Sequence, residues 1–321
     1  MIWPSQIATI RSGPAYGRGR RRIASTMLNT AVAAPIPSAS VRMATIAKPG
    51  FLLHVRIAYR LSRPRSDSMY GILPHMRVAA LFDIHGNLPA LEAVLEDLRD
   101  VRVDRVVVGG DLLPGPMARE TLILLLNLDV PVEWIYGNGE VAVLERMAGS
   151  ESAKVPEQYR PAIAWTAEQV RDHEQLIRTW PMTVRLEIDG LGSALFCHAT
   201  PRNEDEAFTR LTPEDRLLPV FDGVDAAVVV CGHTHMQFDR AIGRTRVVNA
   251  GSIGMPFGEP GADWLLLGPD VQLKHTIYDL NAAAERIRKT TFPWPNDFAE
   301  QYLLHPPSEK AMLEAFTRAS F

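Results

Sequence analysis

The stretch Val78-Ala79-Ala80-Leu81-Phe82-Asp83-Ile84-His85-Gly86-Asn87 decides how the rest of the chain is read. An apolar run ends in a carboxylate, an imidazole follows two residues on, and Gly-Asn leads into a helical pattern. That pattern sets Leu88, Leu91, Val94, Leu95 and Leu98 on one face. The arrangement predicts a buried strand that delivers two metal-type ligands at its C-terminal tip. An isolated Asp-x-His triplet is weak evidence, because a structural Asp beside a surface His gives the same letters. The weight therefore rests on whether later strands end in the same way.

They do. Residues 104–108 form a β-branched run ending in Gly109-Gly110-Asp111, and 130–136 form another ending in Gly137-Asn138-Gly139-Glu140. Between them, 117–128 is apolar nearly all round, which predicts a well-buried helix. Strand, helix, strand, helix, strand at this spacing predicts a parallel sheet with right-handed crossovers. A polar stretch, 148–158, precedes a long helical pattern over 161–179 that carries Trp165. Beyond Pro181 the period changes. Residues 184–188 and 193–197 flank Asp189-Gly190 as a hairpin, and the second strand runs into His198. Residues 200–223 read as a charged loop and short helix. Residues 226–231 are a further buried strand, ending in Gly232-His233-Thr234-His235. Short strands over 237–242, 244–249, 264–267 and 271–278 follow, then a helix over 281–290 and a Pro-rich, partly helical tail. One sheet fed by βαβ units and one rich in hairpins, with helices outside, predicts an α/β fold arranged as a four-layer α/β/β/α sandwich.

Charge is unevenly distributed. Residues 1–75 hold eleven basic residues and one acid, whereas the remainder holds 23 basic against 36 acidic, a net of −13. The first 75 residues are rich in Arg, Ser, Pro and Ala and show no sustained period. Three readings compete there: a targeting segment, a basic arm, or an over-extended start with the folded protein beginning at Met76. The expected organisation is thus a basic extension over 1–75, a folded domain over 76–280 and a helical tail over 281–321. The acidic body argues against avid nucleic-acid binding, and no segment reads as a membrane span. With two cysteines, Cys197 and Cys231, there is no disulfide framework, so a cytoplasmic, reducing location is expected. Both thiols read as small buried strand residues.

Five predicted strand ends thus carry the same chemistry: Asp83 with His85, Asp111, Asn138, His198, and His233 with His235. Two carboxylates, one amide oxygen and four imidazoles suit borderline divalent metals and are too nitrogen-rich for calcium or magnesium. Seven ligands are too many for one ion and enough for two if one bridges. A carboxylate can bridge and an imidazole cannot, which points to Asp111.

The order Asp-x-His, Gly-Asp, Gly-Asn, His, Gly-His-x-His resembles the calcineurin-like metallophosphoesterase superfamily, and within it the small bacterial and archaeal phosphodiesterase-type members. Their usual opening is matched at 82–91, and a later Asn-x-Gly-Ser-x-Gly by residues 249–254. The likeness covers about 76–280. It implies two divalent transition-metal ions, manganese foremost with iron, nickel, cobalt and zinc as alternatives. One would be held by Asp83, His85, Asp111 and His235, and the other by Asp111, Asn138, His198 and His233. It also implies that a metal-bridging hydroxide, not a side-chain nucleophile, attacks a phosphoester. The expected substrate is a phosphodiester or activated monoester, with a nucleotide among the candidates. Protein phosphatase-like and nucleotide phosphomonoesterase activities are alternatives within the class. A catalytically silent metal-binding scaffold is the competing class; such relatives usually lose ligands, and here none is lost. Many members place a His directly after the Gly-Asn, where it is taken to assist the leaving group. Here that position is Gly139, so diesters and esters with good leaving groups are expected to be preferred over alkyl monoesters. Asn138 and Arg202, the latter four residues past His198, are the candidate phosphate contacts.

Overall fold

The structure is a computed structural model and describes residues 76–318. The readings of 1–75 lie outside the described residues. The described strands form two five-stranded sheets, A and B. In sheet A, β1 (Val78–Leu81), β2 (Arg105–Gly109) and β3 (Val132–Ile135) run parallel, and β9 (Ala262–Leu267) with β10 (Val271–Thr276) adds an antiparallel edge. In sheet B, β5 (Gly192–Cys197), β6 (Val228–Cys231) and β8 (Thr245–Asn249) are parallel. The outer strands β4 (Thr183–Ile188) and β7 (Phe238–Ile242) are antiparallel.

Alternation along these strands produces the four layers, because successive side chains leave a strand on opposite faces. In β1, Ala79 and Leu81 point outward to join Leu91 and Val94 of α1 (Leu88–Val101) and Leu122 of α2 (Ala118–Leu126). Val78, Ala80 and Phe82 point inward and meet Ala194, Phe196, Val228 and Val230 of sheet B. On the far side of sheet B, Leu195, Val229 and Val247 pack against Leu217 and Phe221, which belong to the helix Glu214–Phe221. The α/β/β/α sandwich expected from the sequence is the observed architecture.

Two local expectations are corrected and one helix is added. The addition, α3 (Asn138–Met147), lies between the third strand tip and the polar stretch, where no element is expected from the sequence. Its first turn, Asn-Gly-Glu, gives little helical signal, but the Glu140 carboxylate reaches back to accept the Gly137 N–H at 2.7 Å and caps it. The long helix over 161–179 is broken: α4 (Arg160–Gln169) is followed by a tight turn at Arg171–His173 and a single turn at Glu174–Ile177. The Arg119 guanidinium donates to the Gln169 carbonyl at 3.1 Å and grips Asp172, taking an acceptor that a continuing helix would use. Helix α2 is not buried all round, since Ile123 and Leu126 are exposed.

The helix after β10, Leu280–Arg288, and the turns beyond it pack Ala284, Ile287, Phe292 and Phe298 onto Ala162 of α4. Trp165 meets Phe292 edge-on with ring centroids 5.4 Å apart, so it serves this junction. Among the described residues, no helix is long and apolar enough to cross a membrane.

Candidate metal centre

The pairing register brings the ligand-bearing strand ends to one edge. Leu81 pairs with Val108 and Gly109 with Ile135 in sheet A, while Phe196 pairs with Val230 in sheet B. Asp83, Asp111 and Asn138 therefore leave neighbouring parallel strands side by side, the position where open α/β sheets place their sites. His198 and the His233–His235 turn leave the facing sheet at the same edge. The tips are stitched by backbone bonds, with the Asp83 N–H on the Gly110 carbonyl at 3.1 Å and the His85 N–H on the Asp111 carbonyl at 2.9 Å.

The backbone is strained where the ligands stand. Among the described residues, six non-glycine residues have φ in the left-handed region, and five are Asp83 (52°), His85 (46°), Asp111 (49°), His233 (67°) and His235 (56°). The sixth, Arg102, closes helix α1. Such conformations cost about 1–3 kcal/mol each and persist where surrounding structure imposes them, commonly at functional sites. Gly110, also at positive φ (91°), is needed for space as well, since a Cβ there would lie 2.7 Å from the His198 Nδ1.

The imidazoles are aimed. Nδ1 of His85, His198 and His235 lies 3.3, 3.0 and 2.8 Å from the carbonyl oxygens of Pro114, Gly109 and Met255. A carbonyl only accepts, so each Nδ1 carries the hydrogen and each Nε2 turns inward as a lone pair. Two triads result, Asp83–His85–His235 and Asp111–His198–His233, each with its ligand atoms within 4.8 Å of one another. Asp111 faces both: its Oδ2 is 3.8 Å from the His85 Nε2, and its Oδ1 is 3.5 Å from the His198 Nε2. Asn138 Oδ1 lies 3.1 Å from the same His198 nitrogen. The seven residues that the sequence singles out as candidate ligands come together.

These groups fit divalent cations. The Nε2 atoms of His85 and His235 stand 3.2 Å apart, lone pair toward lone pair, an arrangement that repels unless a positive charge lies between them. Burial, reinforced by His235, pushes His85 down to about 3, so His85 itself does not carry that charge near neutrality. Burial and the neighbouring His198 likewise lower His233 to about 4. Asp83 Oδ1 is buried without a hydrogen bond. Burial penalises the Asp83 carboxylate, but His235 and His198 more than offset this and hold it below the usual range. Burial and the Asp83 charge drive Asp111 well above that range. Two buried carboxyls that cannot both ionise unaided, ringed by inward lone pairs, form a cation-binding donor set.

Glu140 was not singled out in the sequence as a site residue. It is fully buried, and its carboxylate accepts the N–H groups of Asp111 (2.9 Å), Leu113 (2.9 Å) and Gly137 (2.7 Å). It thereby ties the loop carrying Asp111 to the turn carrying Asn138. The available signal was its place three residues after Gly137, that of a capping-box acid. Gly139 is also explained: its N–H donates to Asp111 Oδ1 at 2.7 Å, and a Cβ would lie 2.0 Å from the Leu113 carbonyl oxygen. Any side chain there, histidine included, displaces that loop.

A cavity of about 280 Å³ opens beside the site and is lined by His85, Asp111 and Asn138. Arg202 does not line it; its guanidinium is held by the Glu206 carboxylate at 2.7 Å. The cation at this cavity is Lys154, which the sequence reading passed over as part of a polar stretch.

Comparison with known proteins agrees with this picture. The calcineurin-like phosphoesterase superfamily domain matches residues 76–268. Protein MJ0912 of Methanocaldococcus jannaschii, an uncharacterized protein, is 26% identical over 237 residues, covering 67% of this chain and 93% of that one. The crystal structure of hypothetical protein PH1004 from Pyrococcus horikoshii has a TM-score of 0.60 at 21% identity, covering 73% of this chain and all of its own. A metallophosphoesterase from Sphaerobacter thermophilus has a TM-score of 0.56 at 24% identity, covering 71% and 98%. With its strand-tip ligands, its four layers and the family match all in agreement, the chain belongs to the calcineurin-like phosphoesterase superfamily and is a metal-dependent phosphoester hydrolase.

Proposed function

We propose that this protein hydrolyses phosphodiesters, or monoesters with activated leaving groups, at a centre of two divalent cations with manganese as the first candidate. Asp83, His85, Asp111 and His235 would hold one ion, and Asp111, Asn138, His198 and His233 the other. The observation that carries this reading is Asp111, whose two oxygens face one triad each. When bound, such a pair lowers the pKa of a water and neutralises charge on phosphate oxygens.

The chain's own contribution is placement. Carbonyls of Pro114, Gly109 and Met255 fix three imidazoles in one tautomer, and Glu140 fixes the two loops that carry Asp111 and Asn138. Asn138 is half-buried and lines the cavity, so its amide can serve substrate as well as metal. Both cysteines are free and buried, which supports a reducing, cytoplasmic location. The test is hydrolysis of a chromogenic aryl phosphodiester with and without added manganese. Asp111→Asn should fall to background, whereas activity equal to wild type in that variant contradicts the assignment.

A further inference from the structure

Lys154 belongs to the polar segment between α3 and α4, yet its ammonium reaches across the cavity mouth. Its Nζ lies 3.0 Å from the Asp205 carboxylate and 3.8 Å from that of Glu204, both on the loop that follows His198. All three residues line the cavity that His85, Asp111 and Asn138 floor. Among the residues lining it, Lys154 is the one cation; the nearby Arg146 and Arg160 line a separate hollow and pair with Glu151. The walls otherwise include Val141, Val155, Ile163 and Tyr159, whose ring is exposed at the rim.

Ester hydrolysis places two demands on such a cavity. One is an environment for the departing group, and the other is a partner for the negative charge that develops on its oxygen. The apolar wall meets the first. For the second, the candidate ligands are committed to the centre and Gly139 contributes no side chain. Glu204 and Asp205 are anionic and would oppose that charge. Only the ammonium has the right sign.

We propose that Lys154 is a catalytic residue that donates a hydrogen bond to the leaving oxygen of the phosphoester, while Asp205 and Glu204 hold it at the mouth. This rests on the phosphoesterase reading above. In the step, a water-derived oxygen bonds to phosphorus as the bond from phosphorus to the leaving oxygen breaks. The electron pair stays on that oxygen, facing Nζ–H, and the proton it finally carries is the one released by the attacking water through solvent. Lys154 keeps its own proton throughout. The hydrogen bond and charge of Asp205 raise its pKa above the ordinary lysine value, which suits a charged donor and not a proton shuttle. Because the stabilised charge grows with leaving-group basicity, the residue extends the substrate range toward alkyl esters.

The test is a series of phosphodiesters whose leaving groups span aryl to alkyl, run on wild type and Lys154→Met at saturating manganese, with metal content measured on the same samples. Lys154 is exposed, so the variant should fold. The expected result is unchanged metal content with a kcat/KM loss that steepens along the series. Alkyl esters should lose about 10²-fold or more, the usual scale for removing one transition-state donor, and aryl esters distinctly less. A loss uniform along the series, or none, overturns the role of Lys154 while leaving the phosphoesterase reading intact. A wild type that binds metal and cleaves no member overturns both.

Discussion

Glu140 shows at single-residue scale how the site is held. Burial first, then the Asp111 charge, pushes its carboxyl up to about 7, although three backbone N–H groups point at it. Glu140→Gln keeps the shape but turns an NH₂ toward backbone donors. It should cost about 1–3 kcal/mol, the penalty for leaving a buried donor unsatisfied, and denaturant melts would measure this. Metal affinity should weaken in the same variant, because Asp111 and Asn138 lose their common anchor. A variant with wild-type stability and affinity would show that the three contacts are incidental. The candidate ligands, as a cluster, were legible in the sequence, since Asp, His and Asn directly after apolar strand runs are chemically specific. Glu140 was not, because a capping acid leaves the same letters as a solvated one.

At the scale of elements, strands were read more faithfully than helices. Strands β1, β2 and β6 are short apolar runs closed by glycine or a polar tip, whereas α3 opens on Asn-Gly and the 161–179 pattern is cut by a contact from Arg119, far away in sequence. Periodicity does not carry such tertiary contacts. The β9–β10 hairpin offers an independent check on its register. Asp263 and His275 are direct cross-strand partners, and the His275 Nδ1 lies 2.7 Å from the Asp263 carboxylate. The hydrogen bond to Asp263 raises the His275 pKa above its ordinary value despite burial. A histidine whose folded pKa is raised binds its proton more tightly folded than unfolded. Its contribution is therefore complete below about 6.5, the unfolded value, and is lost as pH rises through the folded pKa. His275→Gln should remove that part of the pH dependence, so the stability gap between wild type and variant narrows from pH 6 to pH 8. A gap independent of pH over that range would contradict the pairing.

Across the whole molecule, the two sheets act as paired racks that bring ligands from residues 83 to 235 to one edge. The tail packs on Ala162 of α4 and on Met255, the residue whose carbonyl holds the His235 Nδ1. The fold class and the gathering of the candidate ligands followed from the order of strand tips. The cavity wall and Lys154 did not, because segments 148–160 and 204–205 are polar, aperiodic and joined only by the folded chain. The most direct test of the two-cation centre is metal stoichiometry of the full chain, measured by native mass spectrometry with elemental analysis in saturating manganese. Two ions per chain are expected, falling to one or none in Asp111→Asn; a single ion in wild type, or two retained in the variant, would contradict a shared centre bridged by Asp111.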